Sequence, residues 1–190
     1  KVYVTMTNNN RREPARVDAA NPRDANRHGH IIEMIPPAGP GGPDHAATEG
    51  RWEILLAAGR PGVDPGTAYG PGSAPDDWLS CPDNCTFDPE GRIWIATDGA
   101  PEAAGVADGV YVADTAGPGR ALTRLFYQAP VGAEVCGPCF TPDGTTLFLA
   151  IQHPGEAAGS TFDHPATRWP DFSDDVPPRP SVIAVTRTGG

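Results

Sequence analysis

The stretch Phe87-Asp-Pro-Glu-Gly-Arg-Ile-Trp-Ile-Ala-Thr97 returns 53 residues later as Phe140-Thr-Pro-Asp-Gly-Thr-Thr-Leu-Phe-Leu-Ala150. Each copy is a short strand, a Pro-acid-Gly turn and an apolar strand. Proline presets φ at the turn and glycine accepts positive φ, so each copy reads as a hairpin. The opening run Val2-Tyr-Val-Thr-Met-Thr7 repeats the second strand of that hairpin. Further strand patterns lie at Gly29–Met34, Trp52–Leu56, Gly109–Ala113, Ala121–Tyr127 and Ser181–Val185. With the strands of a four-stranded unit labelled A to D, the chain runs B-C-D, A-B-C-D, A-B-C. Repeating units of roughly 40 to 50 residues with four strands each are the signature of propeller blades. A β-sandwich would also show many short strands, but not one hairpin recurring at a fixed offset. The expected fold is all-β, a partial β-propeller of about two and a half four-stranded antiparallel blades. Its parts are a partial blade over 1–57, an inserted loop over 58–80, a blade over 81–128, and a partial blade over 129–190 with a long loop at 152–180.

Composition agrees. Of 190 residues, 23 are Gly and 23 are Pro, which excludes a long-helix protein. A hydrophobic share of 38% is too high for a disordered chain, and no apolar run approaches the ~20 residues that span a bilayer. Fourteen Lys and Arg against 24 Asp and Glu give a net charge of −10, which argues against nucleic acid as a partner. An acidic protein can still handle anionic substrates when its carboxylates first collect cations. The chain begins inside a strand pattern, without an initiator Met or a signal-like segment, and so reads as a fragment.

In a blade, strand A lines the central channel, so residues at its start are the candidates for chemistry. Asp83 stands four residues before Phe87 and Glu134 six before Phe140. Both offsets are even, and period-2 alternation turns both carboxylates the same way. Converging carboxylates with nearby Asn carbonyls are the hard oxygen ligands Ca²⁺ prefers, while a turn Asp and a rim Glu without a ligand is the plain alternative. Asn8-Asn9-Asn10 and Asp98-Gly99 close B strands, where Asn and Asp are ordinary turn residues. The polar segment Asn21–His30 holds two Arg and two His; it fits a phosphate clamp or a polar return loop. Gln152-His153-Pro-Gly-Glu156 sets a His and a Glu beside a turn. Cys81, Cys85, Cys136 and Cys139 straddle strand starts of two blades, which suits an inter-blade disulfide or free thiols better than a zinc knuckle. No Ser nucleophile elbow, phosphate loop or HExxH segment is present.

Five stretches in order, VYVTMTNN (2–9), NPRDANRHGHI (21–31), PDNCTFDPEGRIWIATDG (82–99), GAEVCGPCFTPDGTTLFLAIQHPGE (132–156) and WPDF followed by PRPSVIAV (169–185), resemble the C-terminal part of PhoX-type alkaline phosphatases. The resemblance implies a six-bladed propeller and a periplasmic or secreted, monomeric enzyme that hydrolyses small phosphomonoesters with Fe³⁺ and Ca²⁺ at the channel mouth. It makes Glu134 and Asp83 the foremost metal ligands, with Asn8 and Asn9 next and Asp98 after them. It also places an iron-binding Cys and an Arg-Pro-Glu-type segment upstream of Lys1, so this chain alone is expected to be inactive. Two other readings stay open: a Ca²⁺-dependent lactonase or esterase propeller, and a propeller that only binds.

Overall fold

The run Ile93-Trp94-Ile95-Ala96-Thr97 is buried at every position, whereas the strands at the two ends of the chain alternate between half-buried and exposed residues. A strand covered on both faces needs apolar side chains throughout; a strand covered on one face needs them at every second position. The chain thus has a middle sheet packed on both faces and flanking sheets packed on one. The computed structural model, which describes residues 1–187, shows this arrangement.

The first sheet is formed by β1 (Val2–Met6), β2 (His30–Ile35) and β5 (Arg51–Ala57), in that order and antiparallel. Between β2 and β5 a miniature hairpin pairs β3 (Ala38–Gly39) with β4 (Gly42–Pro43). The four-stranded middle sheet follows as β6 (Pro82–Phe87), β7 (Ile93–Thr97), β8 (Gly109–Ala113) and β9 (Arg124–Gln128). The third sheet is β10 (Glu134–Phe140), β11 (Thr146–Gln152) and β12 (Ser181–Thr186). The molecule is nearly all-β, in three blade-like antiparallel sheets whose order follows the B-C-D, A-B-C-D, A-B-C reading. The last three residues of the expected 129–190 unit lie outside the described residues.

Alternation along β7 builds two cores. Ile93 and Ile95 join Ile31, Leu55, Leu56 and Tyr111 between the first and middle sheets. Trp94 and Ala96 turn the other way and join Val135, Leu147, Leu149 and Ile151 against the third sheet. Burying one such large aliphatic side chain contributes roughly 1.5–3 kcal/mol, so each core holds its pair of sheets together. Trp94 also donates through Nε1 to Asp88 Oδ2 at 2.8 Å, which satisfies its polar edge inside the core. The far face of the first sheet carries exposed Val2, Val4, Met6, Met34 and Trp52.

Two elements depart from the sequence reading. The strand expected over Ala121–Tyr127 begins only at Arg124. Ala121 has positive φ, its carbonyl accepts from the Gly70 amide, and Thr123 donates its hydroxyl to the Asp77 carbonyl, so this stretch anchors the 58–80 loop instead of pairing in the sheet. After Asp98-Gly99 the chain makes one helical turn, α1 (Ala100–Ala104), before entering β8. The buried Asp108 carboxylate accepts from the Gly99 and Ala100 amides and from the Thr97 hydroxyl, capping that turn from outside it.

One ion cluster ties the first sheet to the middle one. The side chain of Glu33 on β2 is fully buried and accepts from Lys1 Nζ at 2.9 Å, the Tyr3 hydroxyl at 2.5 Å and Arg120 of the β8–β9 connection at 2.9 Å. Burial works against the charged form, but these donors outweigh it and hold the Glu33 pKa at about 2. Gly29 closes the entry to β2 with φ +73°, and a side chain there would run into the Met6 and Thr7 carbonyl oxygens. Its amide donates to Asn26 Oδ1 at 3.0 Å.

Two outcomes follow for stability in chemical denaturation. Glu33→Ala loses about 2 kcal/mol, less than a fully buried pair would, because Lys1 and Arg120 keep contact with solvent. The folded-state pKa of Glu33 lies below its ordinary 4.5, so its contribution is complete above about pH 4.5 and fades as pH falls toward 2. The stability gap between parent and Glu33→Gln closes over that window; a gap that stays constant down to pH 2 contradicts the assignment. Gly29→Ala costs more than about 1 kcal/mol, since strain and collision add, and a neutral result removes the close approach of β1 and β2.

Candidate metal centre

Strand β6 lies between β1 and β10, and the three strands are stitched at one end. Thr5 donates its hydroxyl to the Asp83 carbonyl at 2.6 Å, and Thr7 donates to Asp83 Oδ1 at 3.0 Å, both from β1 or its end. From the other side the Gly137 amide of β10 donates to Asn84 Oδ1 at 3.0 Å, while Asn84 Nδ2 donates to Asp83 Oδ2 at 2.9 Å. A side chain held on both carboxylate oxygens has little rotational freedom.

The carboxylates converge. Asp83 at the start of β6, Asp98 just past β7 and Glu134 at the start of β10 each present an oxygen, all within 4.8 Å of one another. The even-offset argument reaches this result by a route the structure corrects. β6 is bulged at Asp83, between Pro82 and Asn84, and β10 is bulged between Cys136 and Cys139. The β10 bulge lies between Glu134 and Phe140 and shifts the alternation there, so parity counted back from Phe140 does not set the direction of Glu134, whereas in β6 Phe87 and Asp83 both face β1, through Tyr3 and Thr7.

Glu134 is buried and fully dressed. Its Oε2 accepts from Gln152 Nε2 at 2.7 Å and lies 3.3 Å from His153 Nε2, and its Oε1 accepts from the Cys136 thiol at 2.7 Å. His153 itself is held by the Gly132 carbonyl at 3.0 Å and the Glu156 carboxylate at 3.1 Å. Burial alone would lower its pKa, but that carbonyl and the Glu156 and Glu134 carboxylates outweigh it and raise it. Burial, then the hydrogen bond to Glu134 and the surrounding negative charge, pushes the Cys136 thiol up to about 12. Cys136 therefore stays a thiol and a donor.

Asp98 is the strained member. Burial, then the charges of Glu134, Asp108 and Asp83, lifts its pKa to about 6. Such a group is relieved either by a proton or by a cation. The donor set is all oxygen, which suits a hard cation such as Ca²⁺, and its oxygens already lie at the mutual spacing one ion can span.

The other expected ligands divide. Asn8 lines a cleft of about 640 Å³ together with Asp98 and donates to the Cys81 sulfur at 3.8 Å. Asn9 bridges through its backbone to Asn26 and does not line that cleft. All four cysteines are free thiols, so the disulfide option is not realised. Among the described residues the metal-ligating side chains gather at the three carboxylates and not at the cysteines. Gln152, Thr7 and Cys136 were missed as partners of the acids because their roles depend on strand pairing. Glu134 lies directly opposite Gln152 in the β10–β11 register, a position that the hairpin count locates only once the bulge is known.

Because the folded-state pKa of Asp98 is raised, the metal-free protein loses stability as pH rises from the ordinary carboxylate range through about 6. In the presence of a chelator, Asp98→Asn is accordingly more stable than the parent at pH 8, with the difference gone below about pH 4. Equal stability at both pH values would show that burial and the neighbouring acids do not disfavour the Asp98 charge.

Comparison with known proteins places the chain in a family. The family model for alkaline phosphatase PhoX matches residues 1–155. Among solved structures, the chain is similar to Pseudomonas fluorescens PhoX in complex with vanadate, a transition state analogue, with 35% identity and a TM-score of 0.77. The match covers 97% of this chain and 31% of the solved one, so the chain spans about a third of that protein's length. A search of curated proteins gives no match. The family match over most of the sequence, together with the shared fold over nearly all of it, establishes that this chain belongs to the PhoX alkaline phosphatase family.

Proposed function

We propose that the chain is the C-terminal part of a metal-dependent phosphatase acting on small phosphomonoesters, with Asp83, Asp98 and Glu134 as metal ligands and Asn8 as a further oxygen donor. The observation that carries this reading is the meeting of three carboxylates from two sheets within 4.8 Å. The family resemblance implies Ca²⁺ and Fe³⁺ as the ions, and the vanadate in the solved relative, a transition state analogue, supports phosphoryl chemistry. Asn9 is kept as a further ligand on the family resemblance alone. A monomer in the periplasm or outside the cell fits the same membership, and among the described residues no helix is long and apolar enough to cross a membrane. The proposed layout keeps a partial blade over 1–57, a loop over 58–80, a blade over 81–128 and a partial blade over 129–190.

Cations in such a site supply Lewis-acid polarisation of phosphate oxygens. This chain's own residues do the positioning. Gln152 and Cys136 donate to opposite oxygens of Glu134 and fix the plane of its carboxylate, and Thr7 and Asn84 do the same for Asp83. His153, with Nδ1 against Gly132 and Glu156 and Nε2 3.3 Å from Glu134 Oε2, sets a ring whose pKa these neighbours raise beside Glu134. A calcium lactonase is the less favoured reading, since the chain belongs to the PhoX alkaline phosphatase family.

The test uses a polypeptide spanning the full length matched by the solved enzyme. Phosphate release from p-nitrophenyl phosphate falls at least ~100-fold on chelation and with Glu134→Gln or Asp83→Asn, and bound metal measured by elemental analysis falls with it. Gln152→Leu gives a smaller loss, about ten- to a hundredfold in metal affinity, as expected for a residue that orients a ligand. Undiminished release in Glu134→Gln would remove the site; chelator-sensitive lactone hydrolysis without phosphate release would favour the lactonase.

A further inference from the structure

The cleft that holds Asn8 and Asp98 contains one basic side chain, and the proposed chemistry does not use it. Arg27 lines the cleft with Asn8, Asn10, Asp98 and Glu102, and it also lines a neighbouring cleft of about 470 Å³. The other basic groups of its segment are occupied. Arg23 donates both terminal nitrogens to the Ala58 and Gly29 carbonyls, and His28 lies between Ser80 Oγ at 3.0 Å and Asp64 Oδ1 at 3.4 Å. Arg27 is exposed, and among the described residues its guanidinium has neither a hydrogen bond nor an ion pair, in a chain carrying a net −10.

Its backbone, in contrast, is fixed. Arg27 stands between Asn26 and His28, only 2% and 7% exposed, and its carbonyl accepts from the Cys81 thiol at 3.4 Å. Asn26 is held by the Asn9 amide through its carbonyl and by Asn21 and Gly29 through its side chain. A guanidinium on an anchored loop loses less freedom on pairing than one on a mobile loop. Its planar fork matches a carboxylate or phosphate in two parallel hydrogen bonds. At about 640 Å³ the cleft is of the size that takes a whole small ligand, so it accommodates the organic part of an ester beyond its phosphoryl group.

We propose that Arg27 is a specificity residue that pairs with a second anionic group on the organic part of the phosphomonoester, so that the enzyme favours esters carrying an additional carboxylate or phosphate. The inference rests on the phosphatase reading, with the phosphoryl group at the carboxylate centre and the rest of the ester lying along the cleft past Asp98.

Phenyl phosphate and 4-carboxyphenyl phosphate share a skeleton and differ by one anion. Steady-state kinetics with both, on the polypeptide that spans the solved enzyme's full length, separates the alternatives. Arg27→Gln raises KM for the carboxylated ester about tenfold more than KM for phenyl phosphate, a ratio set by one charge-assisted contact, and Arg27→Lys recovers part of it. Added salt erodes the parent's preference and leaves little to erode in Arg27→Gln. Equal changes for the two esters, or none, with the variant still folded by circular dichroism, would overturn the assignment. A parent that releases phosphate from neither ester would defeat the phosphatase reading itself, and this inference with it.

Discussion

Three carboxylates held within 4.8 Å repel one another, and the structure around them is organised to hold them there all the same. Strand β6 cannot move away from the centre, because Thr5 and Thr7 hold it from β1 and Gly137 holds Asn84 from β10. Glu134 cannot swing aside, because Gln152 and Cys136 occupy its two oxygens. Asp98 bears the cost, its pKa lifted by burial and then by the charges of Glu134, Asp108 and Asp83. Preorganised repulsion of this kind is what makes a pocket bind cations, since the ion replaces an unfavourable interaction with a favourable one.

The rigidity needed for this comes from the cores, away from the polar end. Both faces of β7 are packed, one toward each neighbouring sheet, so the middle sheet sets the spacing of the other two. The Glu33 cluster adds a polar tie across the first junction, and the edge-on contacts of Trp94 with Phe126 and Phe140 add an aromatic one near the second. A carboxylate at a strand start therefore inherits its position from apolar packing several residues away. Substitutions in the cores should be felt at the centre even though they touch none of its atoms.

Family membership and the local geometry contribute different parts of the functional reading. Membership, with a solved relative at 35% identity, supplies the family on which the proposed phosphatase reading rests. Geometry supplies which side chains meet, what orients them and what is left over. Arg27 belongs to this last group: an anchored cation beside the centre, without an ionic partner among the described residues, in a strongly acidic chain.

The sequence determined the repeat, the three sheets and the identity of the convergent acids. Pro-acid-Gly turns and apolar strands are local signals, and a 53-residue recurrence survives whatever happens between its copies. The burial of β7 on both faces is visible in the apolar run Ile93–Ala96. Tertiary structure decided the rest. The bulges in β6 and β10, the late start of β9 at Arg124 and the single turn of α1 all depend on distant partners, which no local pattern records. Long-range pairing likewise separated Asn8 from Asn9, placed Gln152 opposite Glu134 and left the four thiols unjoined. Turn chemistry is written in neighbouring residues, whereas the direction in which a side chain finally points is set by strand register and by the packing of one sheet on the next.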